Sequence, residues 1–311
     1  MAKNIVLRKF STVERWMNTV LGSGISSSPT EKNYLHFLRR FCDFTGMNPD
    51  ELIAERRVDL KSDDALVQRR HEEMLLRFQK FLEPQLARSS IGTAQRVVKS
   101  FYSANYSQLN VKPPKTWAST RRSVPRPDEL KAMVESCEAY RDKAIIMFLA
   151  QTGMGKGDLP LVNLGLVKDE LKQGVSPLHL RIMRKKTMIE YDTFLGKDGI
   201  TYLKLYLAEK PPEGDYSPIF DITPRTIEHI VKNSSLKVGV KPYVTPHKLR
   251  SFFETYLTLA KVPTELVNYW MGHSVAYGGA YFVPPVDSAE GLPSQRGIYA
   301  ENEHVLSISE S

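Results

Sequence analysis

The stretch from Lys112 to Pro127 holds four prolines and five basic residues and shows no apolar periodicity. Proline fixes φ and removes a backbone donor, so such a run neither continues a helix nor enters a sheet interior. It reads as an extended connection. A chain interrupted in this way folds as two bodies, each burying its own core, and 311 residues suffice for both. The expected division is a helical domain over 1–112, a basic Pro-rich linker over 113–127, and a second domain over 128–311.

The first domain reads as helices. Ser28-Pro29-x-Glu31 has the residues of an N-cap, a proline at the first helical position and a capping-box partner. Tyr34, Leu35, Leu38, Phe41 and Cys42 then recur at helical spacing until Gly46. A short helix is expected near Pro49–Ala54. A longer one is expected from Ser62 to Leu82 with Leu66, Met74, Leu75, Phe78 and Phe81 as its stripe. Another follows, capped by Ser90, with Ile91, Ala94, Val97, Val98, Phe101 and Tyr102 on one side. Aromatics at this spacing are core rather than base-stacking platforms.

In the second domain, Pro127-Asp128 opens a helix carrying Leu130, Met133 and Val134. Arg141–Gln151 is apolar enough to be buried all round, ending at Thr152-Gly153. Leu178–Met183 alternates as a strand and Ile189–Leu195 is a second, joined through Arg184-Lys-Lys-Thr187 as a lysine-bearing hairpin. Helices are expected over Gly199–Leu207, from Thr223-Pro224 through Val231, and from Thr245-Pro246 onward. The segment after Asp287 reads as a tail whose small Val305-Leu306-x-Ile308 patch is expected to dock on a neighbouring copy. The fold class is therefore mainly α with a small β-sheet.

The charge is +8, from 43 Lys+Arg against 35 Asp+Glu. That balance suits a polyanionic partner, because neutralising phosphates releases counterions. Cys42 and Cys137 are too few for a disulfide framework and lack metal-ligand spacing, which fits a reducing compartment. The start of the chain has no signal-peptide apolar core, and the longest apolar run, Ala144–Ala150, is too short to span a bilayer. A soluble, cytoplasmic protein is expected, with no membrane partner.

The chemistry concentrates near the C-terminal end. His247 and Arg250, three apart, share a helix face. His273 follows a Met-Gly turn, and Tyr281 stands eight residues beyond it. Arginine keeps its proton and forks two donors onto a phosphate. Histidines donate to phosphate oxygens or move protons, and a phenol is a nucleophile. Taken together, the helical first domain, basic linker, Thr-Gly-Met segment, hairpin lysine, His-x-x-Arg, Met-Gly-His and Tyr resemble the tyrosine recombinase (phage integrase) family. The ending Met271-Gly-His-Ser…Ala-Tyr281-Phe-Val-Pro-Pro is similar in particular to archaeal integrases.

The resemblance implies an N-terminal core-binding (SAM-like) domain followed by a mixed α/β catalytic domain. It implies a site-specific recombinase or integrase of a mobile element, associated with the nucleoid and acting on double-stranded DNA as a tetramer on paired sites. Tyr281 is the implied nucleophile, forming a 3′-phosphotyrosyl link. Arg250 matches the second arginine of the family pattern, His247 the helix histidine, His273 the later His/Trp position, and Lys186, with Lys185 as its adjacent rival, the hairpin lysine that protonates the leaving 5′-oxygen. Covalent catalysis conserves the bond energy, so no ATP, nucleotide cofactor or divalent metal is chemically required. Lys185, Arg121, Arg122 and Lys248 are the candidate DNA contacts.

One position departs from the pattern. The family's first arginine sits in Thr-Gly-x-Arg, whereas this chain reads Thr152-Gly-Met-Gly155, with Lys156 the neighbouring cation. Lysine is a point charge and does not reproduce a bidentate fork. Lys156 is the expected substitute. Two other functions remain open on the sequence: a recombinase-fold DNA-binding protein without catalysis, and a strand-relaxing enzyme resembling type IB topoisomerases.

Overall fold

A computed structural model describes residues 7–21, 28–112, 123–184, 189–273 and 291–309. The chain divides into two compact units, residues 1–121 and 122–311.

The first unit contains α1 (Ser11–Leu21), α2 (Ser28–Thr45), α3 (Pro49–Asp59), α4 (Ala65–Gln68), α5 (Arg70–Leu82) and α6 (Arg88–Ala104). Helix α6 buries the stripe expected of it, Ile91, Ala94, Val97, Val98, Phe101 and Tyr102, and both α1 and α2 pack against it. Helix α1 goes beyond the sequence reading, although Val13, Trp16 and Met17 have helical spacing and are buried. Trp16 meets Phe101 edge-on at 5.5 Å and donates its indole N–H to Ser100 Oγ at 3.0 Å.

Three boundaries differ from the sequence reading. Helix α3 runs on to Asp59, started by Pro49 and a capping box between Asn48 and Glu51. The expected Ser62–Leu82 helix breaks at Arg69, whose φ/ψ of −99°/6° is not helical. That break leaves Leu66 on a separate short turn, 73% exposed, and Phe81 is 47% exposed, while Leu75 and Phe78 are buried. Helix α6 begins at Arg88 with Ala87 as its N-cap, so Ser90 lies inside the first turn and is not the cap.

The second unit contains α7 (Pro127–Glu135), α8 (Tyr140–Thr152), α9 (Lys168–Gln173), β1 (Leu178–Arg184), β2 (Ile189–Leu195), α10 (Lys197–Glu209), α11 (Pro224–Lys237), α12 (Pro246–Leu259), α13 (Thr264–Trp270) and α14 (Gly291–Asn302), followed by a 3₁₀ turn over Glu303–Leu306. Helix α8 is buried along Ala144–Thr152, with α10 and α12 packed against it. This is the physical meaning of its unbroken apolar run. The strands pair antiparallel, Leu178 opposite Leu195 and Arg184 opposite Ile189. On β1 Leu178, Leu180 and Ile182 face the core, whereas β2 is buried from Tyr191 to Leu195. Both α8 and α13 contact β2.

The tail expectation is corrected. Residues after Gly291 form α14 and the 3₁₀ turn, and Tyr299, Leu306 and Ile308 are buried in the core of their own unit. The Tyr299 hydroxyl donates to Gln151 O at 2.7 Å, and the Trp270 indole N–H donates to Gln295 Oε1 at 2.9 Å. Asp198 accepts from the Ser307 hydroxyl and the Ile308 amide, both at 2.8 Å. The apolar patch read as a docking surface thus completes the fold in cis.

Both cysteines are free thiols. Burial pushes Cys42 up to about 12 and raises Cys137 as well, so neither supplies a reactive thiolate near neutral pH. No helix among the described residues is long and apolar enough to cross a membrane.

Candidate active site

Four local structures of the second unit meet around one arginine. The first is the start of α12. Thr245 caps it, accepting from the Lys248 amide, and Pro246 occupies the first turn. This leaves His247 exposed and, one turn on along the same face, Arg250 buried, 6% exposed. Arg250 donates from Nη1 to Gly153 O and from Nη2 to Met271 O, both at 2.6 Å. Those bonds hold the guanidinium plane rigid and use only part of its five-donor set. Burial, then the charge of Arg184, lowers Arg250 to about 10, which leaves it cationic at neutral pH.

The second is the turn after α8. Gly153 ends that helix in the left-handed region at φ 63°. A Cβ there would also stand 2.5 Å from the Phe253 ring. Glycine is thus required both for the backbone and for the close approach of α12. The turn leads to Gly155, whose amide donates to Asp158 Oδ2 at 3.3 Å.

The third is the turn after α13. Gly272 has φ 63°, and a Cβ on it would lie 2.7 Å from Tyr191 Cδ1. The turn sets Met271 O against Arg250 and presents His273, whose Nδ1 lies 3.1 Å from Asn268 Oδ1. With the Asn268 amide oxygen facing it, Nδ1 carries the proton and Nε2 is left as an acceptor. Desolvation first, then Arg250 and Arg184, lower the His273 pKa, so the ring is neutral at pH 7. Gly272→Ala is expected to cost about 2–3 kcal/mol, from left-handed strain and overpacking against Tyr191. Thermal melting measures it, and an unchanged midpoint would show that the turn relaxes freely.

The fourth is the end of β1. Arg184 donates from Nη1 to Gly272 O at 2.6 Å, and its Nε lies 3.8 Å from Asp158 Oδ2. Asp158 is buried, which raises its pKa, opposed first by Arg184. The buried Tyr191 hydroxyl lies toward Asp158 without closing a hydrogen bond. Two guanidinium groups, Arg250 and Arg184, are therefore held on successive carbonyls of the turn that carries His273.

The expected residues fare differently. Arg250 and His273 are brought together, and His247 is close enough that its charge opposes protonation of His273. Lys248 turns its ammonium to Pro242 O and Tyr243 O, both at 3.0 Å, and burial lowers its pKa. Lys156 forms an ion pair with Glu228 of α11. Tyr281, Lys185, Lys186, Arg121 and Arg122 lie outside the described residues. Sequence reasoning misses Arg184, which reads there as part of the hairpin connection. Its position at the last paired residue of β1 is the available signal.

Residues 124–276 match the model of the phage integrase family. Two curated relatives are the tyrosine recombinase XerA of Thermococcus kodakarensis, 25% identical over 171 residues, and the tyrosine recombinase XerC of Thermodesulfovibrio yellowstonii, 23% identical over 273 residues. The XerC match covers 80% of this chain and 83% of the relative. The XerA match covers 53% of this chain, which spans only 58% of that relative's length. A lambda integrase tetramer bound to a Holliday junction shares the fold, with a TM-score of 0.59, 15% identity, and coverage of 88% of this chain and 76% of that one.

Proposed function

Because the chain belongs to the phage integrase family of tyrosine recombinases, we propose that it is a site-specific DNA recombinase that cuts and rejoins strands through a 3′-phosphotyrosyl intermediate. The observation that carries this reading is the pairing of a rigidly held guanidinium, Arg250 on Gly153 O and Met271 O, with a neutral His273 beside it. Transesterification at a phosphodiester needs fixed positive donors where charge gathers on the non-bridging oxygens, and a proton acceptor for the nucleophile.

In the proposed reaction the Tyr281 oxygen attacks phosphorus, a phosphotyrosyl bond forms, and the bond to the 5′-oxygen breaks. The phenol proton passes to His273 Nε2 or to water. Lys186, or its neighbour Lys185, returns a proton to the leaving oxygen, producing a free 5′-hydroxyl. Arg250 and His247 face the phosphate. A partner strand's 5′-hydroxyl then reverses the step, displacing tyrosine and conserving the bond energy. The lambda relative is a tetramer on its junction, and we extend that assembly on paired sites to this chain, acting at the nucleoid.

The test is incubation with a nicked suicide substrate, whose short cleaved fragment diffuses away and traps the adduct. A covalent protein–DNA band on a denaturing gel is expected. Its absence on substrates that the protein binds would leave a DNA-binding protein without strand transfer. Binding is expected to weaken steeply with salt, because Arg121, Arg122, Lys185 and Lys248 are proposed to neutralise backbone phosphates. A plot of log affinity against log salt with a slope near zero would remove the phosphate-binding role.

A further inference from the structure

We infer that Arg184, at the end of β1, is a catalytic residue that supplies the phosphate-binding guanidinium this chain lacks at position 155. The inference rests on the recombinase reading above and concerns how the same site completes its charge.

Three observations converge on it. Gly155 carries no side chain, and a Cβ built on it would stand 3.0 Å from Asp158 Oδ2. The Nε of Arg184 reaches that same oxygen at 3.8 Å. A guanidinium arriving from β1 thus enters the space beside the carboxylate from which a side chain at 155 would depart. The second observation is the shared anchorage. Arg184 donates to Gly272 O and Arg250 to Met271 O, so adjacent carbonyls of one turn hold the two cations side by side. The two charges oppose each other, and each is a cause of the depressed pKa of His273. Asp158 offsets the two charges from one side, and one carboxylate leaves guanidinium donors over that a phosphodiester oxygen would accept from. Third, the cation expected to fill the gap is engaged elsewhere, Lys156 being paired with Glu228 on α11.

The chemistry favours the replacement. Arg184 makes one hydrogen bond among the described residues, so several of its donors remain available in a planar fork that a lysine does not have. As the transition state forms, negative charge grows on the non-bridging oxygens, and a donor already fixed by Gly272 O needs no reorganisation to meet it.

A simpler role is that Arg184 only props the Gly272 turn, and the test separates the two. Arg184→Ala, Lys156→Ala and the pair Gly155→Arg with Arg184→Ala are compared with the unaltered protein on two nicked substrates. One carries the ordinary scissile phosphate. The other carries a methylphosphonate there, which lacks one charged oxygen and so demands less positive charge. Arg184→Ala is expected to slow adduct formation about 10²–10³-fold on the phosphate, to lose much less on the methylphosphonate, and to regain activity when Gly155→Arg is added. Lys156→Ala is expected to slow adduct formation less than Arg184→Ala does. Wild-type cleavage by Arg184→Ala overturns the assignment. So does equal slowing on both substrates together with a lowered melting temperature, which is the signature of a prop. If the unaltered protein forms no adduct with DNA that it binds, the recombinase reading itself fails, and this assignment fails with it.

Discussion

Tyr281→Phe is expected to bind DNA as the unaltered chain does and to form no covalent adduct. The substitution removes one oxygen and keeps the ring, so packing and charge are nearly unchanged while the attacking atom is gone. Three aromatic residues stand after His273 in the stretch proposed to carry the nucleophile, Tyr277, Tyr281 and Phe282. Phe282, nine residues after the histidine, has no hydroxyl. Tyr277 lies only four residues on, about one helical turn. Gly278-Gly279 precede Tyr281 and give its backbone the widest choice of conformation. A phenol of pKa about 10 must lose its proton during attack. His273, held neutral by burial beside two arginines, keeps Nε2 open as the acceptor.

The pH dependence follows in sign. The histidine's pKa lies below its ordinary 6.5, so its accepting form predominates at pH 7. Adduct formation is expected to persist through the usual histidine range and to fall only in more acidic solution. A surviving adduct in Tyr281→Phe, mapped by peptide mass to Tyr277, would move the nucleophile.

What is legible in the sequence is local. Thr245-Pro246 announces the start of α12, and the run Ala144–Ala150 announces a helix buried on every side, because capping chemistry and apolar periodicity act within a few residues. Gly153 closes its helix where it is expected to, and Gly272 makes the expected turn, since only glycine meets both the left-handed backbone and the ring above each. Helix α1 escapes the sequence because its stripe, Val13, Trp16 and Met17, is short, and the break at Arg69 carries no proline or glycine to mark it. The site's second guanidinium is illegible for another reason. Arg184 is distant in sequence from Asp158 and Gly272 and meets them only because the β1–β2 register carries its end to the α13 turn. The terminal patch misleads in the same way: three apolar residues do not say whether they serve a neighbour or their own core.

Removing the C-terminal segment is expected to unfold the second unit, where a docking tail would have left it intact. Tyr299, Leu306 and Ile308 are at most 4% exposed, and full burial of each stabilises by roughly 1.5–3 kcal/mol. Their combined loss is comparable with the entire stability of a typical domain, about 5–15 kcal/mol. Truncation also strips the acceptor from the Trp270 indole N–H and two donors from the Asp198 carboxylate. A buried group left without its partner costs more than the bond was worth. The graded version is Tyr299→Ala, expected to cost about 3–5 kcal/mol by opening a cavity against Phe194 and Trp270. Tyr299→Phe, which keeps the ring and loses only the bond to Gln151 O, is expected to cost about 1 kcal/mol. The three variants, ranked by denaturant unfolding of the full chain, separate packing from hydrogen bonding. If truncation after Glu290 left the unfolding midpoint unchanged while abolishing assembly on DNA, the segment would belong to a neighbour. The buried set Tyr299, Leu306 and Ile308 argues instead that this chain must keep its own C-terminal segment to hold Trp270, and through it the turn bearing His273, in place.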